Sequence, residues 1–144
     1  MNRRMISLLL ARKSAGQAMA EFAVVAAAFL LLIFGIMEMG LAVNAYNDVS
    51  TAAREAARYA VVHSPTSANN PSTTPPYSDI QQQAVGYAPF LSTSDVTVSF
   101  PADAQLTTQK DALVQITHSY PLNIPFMSAV NLQLSASSRM LVSQ

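Results

Sequence analysis

Residues Phe22 to Met37 are sixteen consecutive positions without a polar side chain, and from Phe22 to Tyr46 the only charge is Glu38. About 20 helical residues cross a hydrocarbon core of about 30 Å, so a span counted from Phe22 ends near Leu41. A helix lying on a small soluble core shows one apolar stripe, whereas this segment is apolar around its whole circumference. The pattern therefore predicts a membrane-spanning helix over residues 22–43. Glu38 falls about 24 Å along the axis from Phe22, near the outer boundary. There its carboxylate reaches headgroups and water or meets a neighbouring helix.

Helical periodicity continues past the apolar run. Residues 44–62 contain neither proline nor glycine and place Tyr46, Val49, Ala53, Ala56 and Ala60 at spacings of three or four, opposite Asn47, Asp48, Thr51, Arg54, Glu55 and Arg58. One long helix over 17–63 follows, changing solvent without breaking. Its outer stripe, mostly alanine, admits close approach of the chain's own sheet or of a neighbouring subunit. Glu55 and Arg58 form an i,i+3 surface pair worth about 0.2–0.5 kcal/mol. His63 closes the helix, where a histidine suits the negative end. Residues 64–77, SPTSANNPSTTPPY, hold four prolines among serine, threonine and asparagine, and read as a loop. Asn70-Pro71-Ser72 has proline at the position that blocks glycosylation.

From Ser78 to Ala88 the pattern predicts a short helix with Ser78 as N-cap, ended by Gly86 and Pro89. Three alternating stretches follow. VTVSF puts Val96, Val98 and Phe100 on one face; ALVQITHSY, after a turn over 101–110, does so with Ala112, Val114, Ile116, His118 and Tyr120; LQLSASSRMLV does so with Leu132, Leu134, Ala136 and Met140. The expected fold is α+β: a long hydrophobic helix running into a small domain whose three- to four-stranded antiparallel sheet packs on it. The chain divides into a basic leader (1–16), the long helix (17–63), the loop (64–77) and the small domain (78–144).

Composition changes the picture mainly through charge. The formal net charge is zero, but Arg3, Arg4, Arg12 and Lys13 all precede Gly16, and the remainder carries a formal charge of −4. The positive-inside bias places the N-terminus in the cytoplasm and the small domain outside. No basic stripe exists to meet phosphates, which argues against nucleic acid as a partner. The absence of cysteine excludes disulfides and thiolate chemistry. No GxxxxGK[ST] loop, HExxH pair or His/carboxylate cluster appears, so neither an enzyme nor a cofactor is expected, and His118 reads as a hydrogen-bonded core residue.

Glu21 stands directly before the apolar run, five residues after Gly16. A cut between Gly16 and Gln17 removes the basic leader and leaves the apolar segment on the product, unlike ordinary secretory processing. The new α-amine then lies one turn before Glu21, on the same helical face. That pair can be satisfied within one chain, or between chains staggered by about one turn. Its attraction, about 1 kcal/mol at 4 Å in water, grows several-fold as the effective dielectric falls. Ala23 and Ala27 add a small-xxx-small pair suited to helix association.

Gly16-Gln17-Ala18-Met19-Ala20-Glu21-Phe22 resembles the class III signal peptides read by prepilin peptidases: glycine before the cut, glutamate at the fifth mature position, an aromatic next. Together GQAMAEFAVV, FGIMEMG and VSTAAREAARYAVVH resemble the TadE-like minor pilins, or pseudopilins, of the tight-adherence (Tad, type IVc) pilus system, and ALVQITHSYPLNIP…LQLSASSRML is similar to the end of that family. Residues 64–110 match nothing in it. Gln17 stands where major pilins carry a bulky apolar residue, and methylation of its amine is left open. The resemblance implies cleavage at Gly16/Gln17, assembly through Glu21 and Phe22, and a single-pass protein of the bacterial inner membrane with a periplasmic domain. It also implies a role in Flp-type pili for surface adherence. The implied partners are prepilin peptidase, other pilin subunits, membrane lipid, and the Tad inner-membrane platform and secretion ATPase. Two other readings remain: a secreted protein cut after Ala45, against which stand the long leader and Glu38, and a permanent single-pass periplasmic adaptor.

Overall fold

A computed structural model of the chain describes residues 3–64, 75–101, 111–125, 128 and 130–142, with side chains from Gly16 onward. Helix α1 (Arg3–Val62) is one uninterrupted element of 60 residues, about 90 Å long. It does not break at Gly16, Gly35 or Gly40. No residue from Gly16 to Leu41 is buried, and the first buried position is Ala42. From there Ala42, Ala45, Val49, Ala52, Ala53, Ala56, Ala57 and Ala60 all fall at 6% exposure or less. Small side chains on this line let the sheet approach the helix backbone. Tyr46 departs from the expected stripe and is exposed. It flanks the line set by Ala42, Ala45 and Val49, and a ring in that line would hold the sheet off.

Helix α2 (Ser78–Tyr87) buries Ile80 and Ala84. Its N-cap is Tyr77, not Ser78: Tyr77 turns the chain through a left-handed conformation (φ 60°), and its ring is seated edge-on against Phe100, centroids 5.0 Å apart. Ser78 is thereby the first helical residue. The helix is tied to the sheet by Gln81 Nε2, which donates to Val96 O at 2.8 Å.

The sheet has the order β1 (Val96–Ser99), β2 (Asp111–Leu122), β3 (Val130–Leu141), all antiparallel. Val96 and Ala136 both pair with Ile116, and Val98 and Ser138 with Val114, so the alternating faces read from sequence align across the three strands. Val96, Val98, Ala112, Val114, Ile116 and Leu134 are buried against α1 and α2. The opposite face carries Thr97, Gln115, Thr117 and Ser119, all exposed. There the Arg139 guanidinium covers the buried Asp111 carboxylate. β2 and β3 run longer than expected, through Pro121 and back to Val130. Proline is tolerated because β1 covers β2 only from Leu113 to Ile116, leaving residue 121 in a two-stranded ribbon. The expected turn over 101–110, apart from Pro101, lies outside the described residues, as does most of the 64–77 loop.

The sense in which β3 runs along α1 decides what faces the apolar half of the helix. Met39, Ala42, Val43 and Tyr46 line a groove of about 240 Å³ with Leu132, Gln133 and Leu134. Val142, eight residues on and about 26 Å away in an extended strand, is buried at 3% exposure. It cannot lie beside residues 16–41 of α1, none of which is buried. β3 therefore runs in the same sense as α1, and its start points toward the apolar segment.

Candidate processing and assembly site

Around the Gly16–Gln17 bond the chain is an exposed helical surface. Gly16, Gln17, Glu21 and Phe22 are all exposed, Phe22 at 74%. An added Cβ at Gly16 meets nothing within 4 Å, as is also true of Gly35 and Gly40, so packing does not require glycine there. One turn apart, Gln17 Nε2 donates to Glu21 Oε1 at 3.0 Å. Residue 17 and the carboxylate thus share one face, as the i,i+4 spacing predicts. Glu21 borders a shallow depression with Ala20, Val24 and Val25. Ala23 and Ala27 lie exposed on the same bare helix, open to another helix or to lipid.

Glu38 differs from its neighbours in being half-buried. It precedes Ala42 and Ala45 by four and seven residues, which puts it on the helix line that the sheet covers. The best 18-residue window of the segment Gly16–Val62 has a mean hydropathy of 2.5 and is 0% buried, and this is the one helix among the described residues long and apolar enough to cross a membrane.

Besides Arg139–Asp111, the small domain carries a second ionisable pair that the sequence does not announce. His118 Nδ1 lies 2.9 Å from Asp95 Oδ2, and the Phe90 ring stands 5.3 Å from the imidazole. The same oxygen accepts from the Ser92 N–H at 3.0 Å, while Ser92 and Ser94 hydroxyls bond each other at 2.7 Å. Burial pushes the Asp95 carboxyl up, but the Ser92 N–H, the His118 ring and the Ser92 hydroxyl outweigh it and hold the carboxyl below its ordinary value. These contacts lock the single 3-10 turn Thr93–Asp95 to β2, the work of a brace. The Ser92-x-x-Asp95 spacing of a capping box is a sequence signal that could have pointed to this turn. At the end of α1, His63 Nδ1 lies 3.1 Å from Tyr59 O and its ring stacks on Tyr59 at 3.8 Å, in keeping with the expected closing role. Among the described residues no group of three or more His, Cys, Asp or Glu is placed to hold a metal ion.

Residues 16–58 match the family model described as TadE-like protein. That segment is similar to the TadE-like family. It begins at Gly16, takes in Gln17, Glu21, the whole apolar run and the Arg54-to-Arg58 stretch, and stops short of the sheet. The match covers 43 of the 144 residues and overlaps the candidate membrane helix near the N-terminus. No curated protein and no solved structure matches the chain.

Proposed function

We propose that the chain is a minor pilin or pseudopilin, held in the inner membrane with its basic end in the cytoplasm and cut after Gly16 by a prepilin peptidase. The product begins at Gln17, keeps the apolar helix and joins a Tad pilus or its base through that helix. The work is structural and not catalytic. Energy for assembly comes from the secretion ATPase and its inner-membrane platform, the partners that the family resemblance implies. The observation that carries this reading is the pairing of residue 17 with Glu21 on the bare face of an apolar helix, at the start of the TadE-like segment. Once the 16–17 bond is cut, the α-amine of Gln17 is an unsatisfied cation at a helix N-terminus in a poorly hydrated setting. Glu21 is the carboxylate within one turn that offsets it, in its own chain or in a staggered neighbour.

Intact-mass measurement of the membrane-extracted protein tests this. A first residue of Gln17 is expected. A chain starting at Met1 supports the permanent anchor, and one starting at Tyr46 supports release as a secreted protein.

A further inference from the structure

We infer that the free end of the β2–β3 hairpin, at Leu122, Ile124, Val130 and Leu132, is a second membrane contact that rests in the outer interfacial layer of the bilayer spanned by α1. The inference depends on α1 spanning a membrane. The depth follows from geometry. Gln133 sits in the groove beside the middle of Met39–Tyr46. Val130 is three residues nearer the strand's start, about 10 Å in an extended chain. α1 covers about 10 Å in six to seven residues, which brings Val130 level with about residue 36, or with about residue 37 if the strand is inclined by about 40°. A span counted from Phe22 ends near Leu41, so Val130 and its cross-strand partner Leu122 lie on the membrane side of that boundary.

The surface at this depth has the chemistry for it. Val130 and Leu132 are 48% and 36% exposed although they belong to a sheet with a formed core. From Ala112 to Ser138 the sequence contains no Asp, Glu, Lys or Arg. Tyr46 stands exposed at the rim of the groove, the level at which tyrosine is favoured between lipid and water. Open strand edges are not tolerated in the hydrocarbon core, which confines the hairpin to the headgroup and upper acyl layer. Asn123 and Asn131, both exposed, suit that layer. Because the hairpin is fixed to the spanning helix, lipid meets it in every chain that spans, whatever the state of assembly.

The chain has no cysteine, so single probes can be placed at will. Full-length Val130→Cys, Leu132→Cys, Ala28→Cys and Thr97→Cys proteins, labelled with an environment-sensitive fluorophore, are reconstituted at low density in phosphatidylcholine vesicles. The vesicles contain lipids brominated either near the headgroup or deep in the acyl chain. Deep bromolipid is expected to quench the Ala28 probe, shallow bromolipid the Val130 and Leu132 probes at least twofold, and neither the Thr97 probe. Quenching at Ala28 with none at Val130 and Leu132 overturns the hairpin contact while leaving the spanning helix intact. No quenching at Ala28 overturns the spanning helix, and the hairpin contact with it. Protection of Val130 from aqueous iodide without bromolipid quenching means that protein and not lipid covers the hairpin, and likewise overturns the inference.

Discussion

At the scale of single residues, Glu21 and Asp95 are carboxylates whose roles follow from what stands one turn away. In the intact chain Glu21 already accepts a hydrogen bond from residue 17. In the proposed processing that neutral partner is exchanged for an ammonium, an interaction that strengthens wherever water is excluded between helices. Glu21→Ala is expected to be cut like the wild type, since Gly16 and Gln17 are untouched, yet to be absent from sheared pili. Intact mass and immunoblots of the pilus fraction read the two steps separately, and normal incorporation would remove the role given to Glu21. Asp95 is held below its ordinary value, so its contribution to stability is complete above the unfolded pKa of about 3.9 and is lost as pH falls through the folded value. Asp95→Asn is expected to lose on the order of 1 kcal/mol at pH 7 through the weakened Ser92 and His118 contacts. Urea unfolding in detergent at pH 7 and pH 3 checks the sign: the gap between wild type and variant should narrow at the lower pH.

At the scale of elements, the alanine face of α1 sets how near the sheet can come. Ala56 is 0% exposed and sits in the middle of that face. Ala56→Leu adds three heavy atoms to a closed interface, with an expected loss of about 1–3 kcal/mol. Arg54→Leu on the exposed side of the same turn should change stability by less than about 0.5 kcal/mol. Thermal unfolding of the two variants side by side separates packing from helix propensity, because leucine is the new residue in both. What could be read from the sequence here was whatever depends on local period. The apolar circumference, the line through Val49, Ala53, Ala56 and Ala60, and the inward faces of all three strands are properties of neighbours in the chain. The Gly16, Gln17 and Glu21 relation was legible for the same reason, being one turn of one helix. What escaped depends on how far one element slides along another. Ala42 and Ala45 are buried and Tyr46 is not because β3 reaches back to the level of Met39, which no helical period encodes. The His118–Asp95 and Arg139–Asp111 pairs join residues 23 and 28 apart, set by strand register and by the turn before β1.

At the scale of the whole molecule, α1 is two objects in one element: a rod with no buried residue from Gly16 to Leu41, then the central wall of a small domain from Ala42 to Ala60. A domain of this size has little surplus burial, so it cannot lose a wall and remain folded. A fragment of residues 39–144 retains every buried position of α1, and is expected to unfold cooperatively on heating and to give dispersed amide NMR signals in water. A fragment of residues 58–144 lacks Val49, Ala52, Ala53, Ala56 and Ala57, and leaves the faces of Val114, Ile116 and Leu134 without a cover. It is expected to show no cooperative transition. Cooperative unfolding of the shorter fragment would mean that α1 merely leans on a self-sufficient sheet. In that case pulling on the helix in the proposed assembly would leave the domain undisturbed. With α1 as a wall of the core, force on the apolar rod passes directly into the alanine face, and the domain travels with its helix as one body.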